Sequence, residues 1–460
     1  MSKLIETARE IKANFGIEKL EQAGYKRNRK EYEFIVTYPS IPALSAVSQE
    51  KIFSGKPKER EVQFYVHIPF CTGTCTYCGR FETFPRQTVQ VSDEYLKYLE
   101  KERSIIDAIP ELQKMKVASL YIGGGTPTYL NVKQLDRLTK FLTATLDIQE
   151  NAEFTVEGSP ETIKQDKLEK LLENRVNRIS MGVQSFHDDI LKICGRRHNT
   201  ERAKKAAHLI RKAGFTNFNI DLMSGLPYQS LERFEEDLKT AVDSGAACVT
   251  IYPLYIRPGC NMAEFDNSIF PNQEDSLLMQ IMAKEFFKEI GYVECPVHFF
   301  ALPGIVSQAQ NINKWGGAEA IGLGVSTYQF MNNTQYHNLF DMEKYKASID
   351  SGELPIWIGK HLDTKEQMAR LMVLGMKKGQ VDKKVFSSKF GVNPEEVYPE
   401  IIEILKELGL IEITDTEIRL TYLGELYSEE VAIQFFTEET RKAVGNKGYA
   451  GYSLAELPKL

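Results

Sequence analysis

Apolar, β-branched runs recur along the chain from residue 61, and they predict six strands. These runs are Val62–Val66, Val117–Ile122, Phe154–Val156, Arg178–Val183, Phe218–Leu222 and Cys248–Leu254. Segments with helical spacing of apolar residues fill the gaps, for example Asp93–Ala108, Val132–Leu146, Glu201–Ala213 and Leu231–Ser244. Six strand–helix units in a row predict a parallel sheet covered by helices, which right-handed crossovers curl. Six units rather than eight indicate an α/β fold with a partial (β/α)6 barrel.

The rest of the chain suggests four regions. Residues 1–60 form an N-terminal extension that begins with a helical stretch, Leu4–Gln22; we expect it to pack on the barrel, and a flap over the active site is the alternative. Residues 61–260 form the barrel, and residues 261–360 extend it. Residues 361–460 form a mainly helical C-terminal domain. Its two short strand patterns, Leu408–Ile413 and Glu417–Thr421, are typical of a winged helix.

Composition and charge narrow the class of protein. The 460 residues carry a net charge of −6, and the acidic C-terminal domain shows no basic recognition helix, so we expect no nucleic-acid partner. We also expect no membrane span and no signal peptide, because no apolar run is long enough. Seven cysteines, an odd number, argue against a disulfide framework and favour a reducing cytoplasm. We expect a monomer.

Three of the seven cysteines lie within eight residues, directly after the first predicted strand. Cys71, Cys75 and Cys78 have the spacing C-x3-C-x2-C. Three thiolates can hold three corners of an iron–sulfur cube and leave the fourth iron open to a ligand. The alternatives are unrelated loop thiols and a structural zinc site, but zinc requires four ligands and the nearest candidate is His67, four residues before the triplet. The spacing therefore predicts a site-differentiated [4Fe–4S] cluster.

Polar and glycine residues follow the other predicted strands. A glycine-rich loop comes after the second strand, and Glu157 lies at the end of the third. Gln184 and Asp221 end the fourth and fifth strands, and Arg196 lies shortly after the fourth. The carboxyl ends of parallel strands meet at one mouth, so these residues are expected to form a single site. For each residue alone, a satisfied structural polar group is an equally good explanation.

Four motifs in order resemble the radical S-adenosylmethionine (SAM) superfamily and, within it, the oxygen-independent coproporphyrinogen-III oxidase (HemN-like) family. They are Tyr65–Cys78, Gly123–Thr128, Ser180–Phe186 and Asp221–Pro227, and the resemblance covers about residues 60–430. It implies a (β/α)6 core, a [4Fe–4S] cluster, and SAM that is cleaved by an electron to give a 5′-deoxyadenosyl radical. It also implies a reductant such as flavodoxin or ferredoxin and a small-molecule substrate.

The resemblance also implies roles for individual residues. The glycine-rich loop is expected to hold the methionine amino group of SAM through Gly123, Gly124, Gly125 and Thr126; a tight structural turn is the alternative. Residues that match Glu157, Gln184, Arg196 and Asp221 contact SAM in the family. One that matches Met223 lies by the adenine, and Tyr65 matches a tyrosine near the cluster.

Three positions depart from the oxidase pattern. Arg80 stands where the oxidases have a further cysteine, Trp315 falls near a glutamine at their second SAM, and Tyr328 near an isoleucine. These departures favour methyl or methylene transfer with two SAM molecules. The candidate catalytic residues are Tyr65, Glu157, Trp315 and Tyr328. For Trp315, packing in the core is the alternative explanation. Oxidation of coproporphyrinogen III or related anaerobic tetrapyrrole chemistry is one alternative function, and a haem chaperone is another.

Overall fold

The computed structural model describes residues 2–25, 35–78, 83–257, 259–305 and 308–445. Its strands are β1 (Arg60–Ile68), β2 (Phe70–Cys71), β3 (Phe84–Pro85), β4 (Met115–Gly124), β5 (Ile148–Gly158), β6 (Arg178–Gln184), β7 (Asn217–Ser224), β8 (Cys248–Pro253), β9 (Val293–Glu294), β10 (Phe299–Ala301), β11 (Ala320–Leu323), β12 (Tyr328–Met331), β13 (Thr334–Asn338), β14 (Ile356–His361), β15 (Gln380–Asp382), β16 (Ile411–Ile413) and β17 (Glu417–Leu420).

The helices alternate with these strands through most of the chain. They are α1 (Lys3–Ala13), α2 (Ile17–Gln22), α3 (Gln49–Ile52), α4 (Val89–Asp107), α5 (Val132–Thr145), α6 (Gln165–Glu173), α7 (Asp188–Ile193), α8 (Thr200–Ala213), α9 (Leu231–Asp243), α10 (Gln273–Glu289), α11 (Ala309–Trp315), α12 (Met342–Asp350), α13 (Thr364–Lys378), α14 (Lys383–Phe390), α15 (Pro394–Val397), α16 (Pro399–Glu407), α17 (Tyr422–Leu426), α18 (Ser428–Ile433) and α19 (Glu438–Val444). Within the described ranges, no helix has both the length and the apolar character needed to cross a bilayer.

The six predicted strands are confirmed as β1, β4, β5, β6, β7 and β8. They lie side by side in this order, and every neighbouring pair is parallel. On its other side β1 pairs with β11, and β8 pairs with β10. The six-stranded unit is therefore open, as expected of a partial barrel.

Side chains of β1 alternate between two environments. Val62, Phe64 and Val66 are fully buried in the main apolar core. Gln63 and Tyr65 point to the opposite face, because successive residues of a strand alternate. There the Ser119 hydroxyl of β4 donates to Gln63 Oε1 at 2.6 Å, and the Tyr65 ring stacks on Tyr121 with 6.0 Å between centroids. This second face lines the barrel interior and is largely polar.

Strands β11–β14 extend the sheet beyond β1. Ala320 of β11 lies beside Gln63 and opposite Phe330 of β12, so the side chains of Phe330 and, two residues earlier, Tyr328 continue the interior face. Helix α11 packs across this face. Its Asn313 side chain donates to Gln63 Oε1 at 3.0 Å. The region after the barrel thus contributes side chains to the same interior.

The N-terminal extension contacts helix α10 and the C-terminal helices. The expectation of one helix over Leu4–Gln22 is wrong, because the chain breaks between α1 and α2 at Asn14–Gly16, where asparagine and glycine are poor helix formers. Helix α1 packs on α10, with Lys12 Nζ 2.6 Å from Glu274 Oε1. Further on, the Tyr38 hydroxyl donates to Thr437 Oγ1 at 3.3 Å, and so joins the extension to the C-terminal helices.

The C-terminal domain contains the small sheet expected of a winged helix. Strands β16 and β17 match the two predicted strand patterns. The sheet has a third strand, β15, which pairs with β17 and follows α13 directly. Strand β15 has only three residues, which is too short for the alternation of apolar and polar side chains to be recognised in the sequence.

Candidate active site

The three cysteines of the motif lie on one loop after β1. Cys71 is in β2, Cys75 and Cys78 follow in a turn, and all three are partly buried. The end of α7 holds this loop, since the Thr76 amide donates to the Cys194 carbonyl at 3.0 Å and the Thr76 hydroxyl to the Ile193 carbonyl at 3.2 Å. These two hydrogen bonds attach the cysteine loop to the end of α7.

The residues present fit an iron–sulfur cluster with three thiolate ligands. Burial raises the pKa of the Cys71 thiol to about 11, so a cluster that binds the thiolate must displace its proton. The Arg196 guanidinium lies beside the second thiol, with Nη1 3.5 Å from Cys75 Sγ, and stabilises negative charge there. Among the described residues, no three His, Cys, Asp or Glu side chains are arranged to hold a single metal ion.

The glycine-rich loop is joined to the cysteine loop. The Gly125 amide donates to the Ile68 carbonyl at 2.9 Å, and the Thr126 amide to the Phe70 carbonyl at 2.8 Å. A Cβ on Gly125 would come within 2.7 Å of the Phe70 oxygen and 3.0 Å of Cys71 Sγ. Only glycine therefore allows this close approach. The exposed backbone of the loop lies directly beside a predicted cluster ligand.

Glu157 lies where β5 ends and is held by its neighbours on β4. The Tyr121 hydroxyl donates to Oε1 at 2.6 Å, and the Gly124 amide donates to Oε2 at 3.2 Å. Burial raises the pKa of Glu157 to about 7; the Tyr121 bond opposes this shift and the charge of Asp221 adds to it. The carboxyl is thus preorganised and near its titration point at neutral pH.

Gln184 ends β6, whereas Asp221, expected at a strand end, lies within the adjoining β7, three residues before its end. Ser180 Oγ donates to Asp221 Oδ2 at 3.2 Å and Asn219 Nδ2 to Oδ1 at 2.7 Å, while burial raises the pKa of the carboxyl. Gln184 has a backbone φ of 78°, which is unusual for a residue other than glycine, and no described residue donates to its buried Oε1. Strained backbone and unmet polar atoms of this kind concentrate at ligand sites.

Arg196 connects the end of β6 to the cysteine loop. Its Nη2 donates to the Gly182 carbonyl, its Nη1 approaches Cys75, and its buried Nε has no partner among the described residues. Burial acts to lower the pKa of Arg196, but the nearby Tyr77 and Cys75 groups outweigh it and raise the pKa. Met223 lies close by, in a small apolar cluster with Cys194, Leu226 and Met262.

The candidate catalytic residues separate into two places. Tyr65 is on the interior face beside the site, with its hydroxyl 3.3 Å from His67 Nδ1. Trp315 is 6% exposed and packs edge-on against Phe299 with 6.2 Å between centroids. The Lys377 ammonium lies 5.7 Å from the Trp315 ring, and the Lys314 ammonium 4.4 Å from the Tyr328 ring. Arg80 lies outside the described residues.

The sequence predicted that the polar residues after the strands lie in one site, but it did not identify Tyr121 or Lys314 as candidate functional residues. Tyr121 is two residues before Gly123 in a predicted strand. Because side chains two residues apart in a strand point to the same face, Tyr121 lies on the same face as the glycine-rich loop. Its role as a donor to Glu157 depends on the pairing of β4 with β5. Lys314 had no signal beyond its position beside Trp315.

Comparisons with known proteins agree with this geometry. The pattern of the Radical SAM superfamily matches residues 65–241, and that of the HemN C-terminal domain matches residues 362–427. The chain is 32% identical over 379 residues to "Heme chaperone HemW" of Bacillus subtilis (strain 168), covering 81% of this chain and 99% of that protein. It is 27% identical over 427 residues to the "Oxygen-independent coproporphyrinogen III oxidase" of Escherichia coli (strain K12), covering 88% and 93%.

A solved structure shows the same fold over nearly its whole length. The coproporphyrinogen III oxidase (HemN) of Escherichia coli superimposes with a TM-score of 0.78 at 26% identity, covering 88% of this chain and 97% of that one. A three-cysteine loop beside a glycine-rich turn on such a parallel sheet defines a radical SAM protein. Within that superfamily, the chain belongs to the HemN-like family.

Proposed function

We propose that the protein cleaves SAM reductively and acts on a tetrapyrrole, most directly as an oxidase of a coproporphyrinogen-type substrate. The observation that carries this proposal is the continuous set of contacts from the cysteine loop to the strand ends. Cys71 Sγ lies 3.4 Å from Thr126 Oγ1, Glu157 accepts from Gly124 of the same loop, and Arg196 joins Cys75 to β6. A ligand bound to the open iron would lie beside the glycine-rich loop, Glu157 and Arg196.

Each element of the site has a separate task in this proposal. The three cysteines would hold the cluster, which would bind SAM at its open iron and pass it one electron from a reductant; this cleavage gives methionine and a 5′-deoxyadenosyl radical, which becomes 5′-deoxyadenosine on taking a hydrogen atom from the substrate. The backbone at Gly123–Thr126 faces the amino group, and Arg196 pairs with the carboxylate. Glu157 and Asp221 accept hydrogen bonds from ribose hydroxyls, while Met223 contacts the adenine.

The substrate class follows from the named relatives. One group is named for coproporphyrinogen III and the other for haem, and both compounds are tetrapyrroles. None of these names refers to methyl transfer. In addition, the Lys377 ammonium lies near the Trp315 ring, and the Lys314 ammonium lies near the Tyr328 ring. Because each ring already faces a positive charge, neither is well suited to attract a second sulfonium. The relatives therefore favour the tetrapyrrole alternative over the methyl-transfer prediction.

The two tetrapyrrole functions are favoured by different measures: the number of aligned residues favours the coproporphyrinogen oxidase, and the sequence identity favours the haem chaperone. The alignment with the oxidase includes 427 residues, against 379 for the Bacillus relative. The haem chaperones nevertheless reach 32% identity. Haem binding is thus the second candidate function.

One experiment separates these functions. The anaerobically prepared protein, with dithionite and methyl-labelled SAM, is incubated with coproporphyrinogen III, and products are analysed by mass spectrometry. We expect vinyl-bearing, unlabelled product and 5′-deoxyadenosine from the wild type, and neither from C75A. Label in the product would restore methyl transfer. No product, together with haem binding that persists in C75A, would instead support the chaperone.

A further inference from the structure

Lys314 is a lysine without an acidic partner in a mostly buried position. It lies on α11 and is only partly exposed. Its ammonium faces the ring of Tyr328 at 4.4 Å, and among the described residues it has no ion pair or hydrogen bond. Other buried lysines differ. Lys284 lies 2.6 Å from Glu425, and Lys377 pairs with Glu429.

The missing partner has an electrostatic consequence. Burial and, to a smaller extent, the charge of Arg370 together lower the pKa of Lys314 to about 7. Among the described residues, no acidic group offsets these effects. A desolvated ammonium is costly unless a counter-charge accompanies it. Aromatic attraction from one tyrosine face compensates for only part of this cost. An anionic ligand would supply the counter-charge.

Arg370 is the other cation here, but protein groups already bind it. Its guanidinium lies 3.9 Å from the centre of the Phe330 ring, and Nη1 donates to the Tyr38 carbonyl and to Gln335 Oε1. Arg370 therefore fixes the N-terminal extension on the interior face. Lys314, by contrast, has no ion pair or hydrogen bond among the described residues, so its ammonium can bind a ligand.

Tyr328, beneath Lys314, and the carboxyls of Glu157 and Asp221 lie on the same interior face of the sheet. Tyr328 lies close enough to Tyr252 of β8 to contribute to the raised pKa of that phenol, to which burial contributes most. The charges of Asp221 and Glu157 act on Tyr252 as well. A ligand on this interior face would thus lie between the candidate SAM site and Lys314.

We infer that Lys314 binds a carboxylate side chain of the substrate inside the barrel. This inference rests on the proposed function, because it takes the substrate to be a tetrapyrrole that bears carboxylates. It adds that the protein selects ionised acid side chains over their neutral esters. Tyr328 positions the ammonium and is not itself required to bind the carboxylate.

The first test compares coproporphyrin III with its tetramethyl ester by fluorescence titration. In K314Q, affinity for the acid should fall by about tenfold or more, while affinity for the ester stays unchanged. K314R should recover much of the loss, and K384Q, at an exposed lysine, serves as the matched control. Iron content and the unfolding midpoint verify that each variant is folded. Equal affinity of wild type and K314Q for the acid would overturn the inference.

A second measurement separates this inference from the proposed function. Reductive methylation of the wild type, read by peptide mass spectrometry, reports whether Lys314 is covered by coproporphyrin III or by adipate, a simple dicarboxylate. Protection by adipate alone would contradict the tetrapyrrole proposal and support a carboxylate site at Lys314. Protection by neither compound would overturn the site, whatever the outcome with coproporphyrinogen III.

Discussion

At the scale of single residues, the site depends on two carboxyls, Glu157 and Asp221, whose pKa values are raised by burial. Glu157 has a pKa of about 7 because burial outweighs the Tyr121 hydrogen bond. The pKa of Asp221 is raised as well, chiefly by burial, while the Arg178 guanidinium opposes both shifts. These groups are poised for a ligand that donates hydrogen bonds, because such donors favour the charged form.

A pH dependence of SAM affinity follows. Above a pH of about 7, Glu157 is a carboxylate and accepts from ribose hydroxyls; below it, the protonated carboxyl loses part of this capacity. We therefore expect SAM to bind more tightly as pH rises through about 7, and E157Q to show a flatter profile. Equilibrium dialysis across this range measures it, and D221N reports the contribution of Asp221. An unchanged slope in E157Q would contradict this role of Glu157.

At the scale of elements, the strands were predictable and their long-range partners were not. Apolar runs located all six barrel strands, because each strand packs one face into the core, as Val62, Phe64 and Val66 do. Motif positions located Glu157, near the end of β5, and Asp221, which lies within β7. No local pattern shows that β11 pairs with β1, which is what carries Tyr328 to the interior. The position of Lys314 over Tyr328 depends on the same tertiary pairing.

The junction of the cysteine and glycine loops gives a prediction at this scale. G125A places a methyl group within 2.7 Å of the Phe70 oxygen and 3.0 Å of Cys71 Sγ, so one loop must move. We expect the variant to fold but to lose most of its bound iron and sulfide, measured by chemical assay after anaerobic purification. G16A is the control, since its new methyl group meets only the Lys19 side chain at 3.6 Å. Wild-type iron content in G125A would refute this tight junction.

At the scale of the whole molecule, the extension and the C-terminal helices close the fold around the barrel. The Ile35 amide donates to Glu429 of α18 at 3.0 Å, and Tyr38 contacts Thr437. The Ser45 amide donates to the Gly359 carbonyl of β14 at 3.0 Å. Hydrogen bonds thus join chain segments about 400 residues apart. The central claim is that this assembly holds a cluster that cleaves SAM.

The most direct measurement of that claim combines cluster content with SAM cleavage. The anaerobic protein should contain about four irons and four sulfides, and should release 5′-deoxyadenosine from SAM with dithionite. The triple variant C71A/C75A/C78A should contain no cluster and release none, while C295A, at an exposed cysteine outside the motif, should behave as the wild type. Full iron content or continued 5′-deoxyadenosine formation in the triple variant would contradict the account.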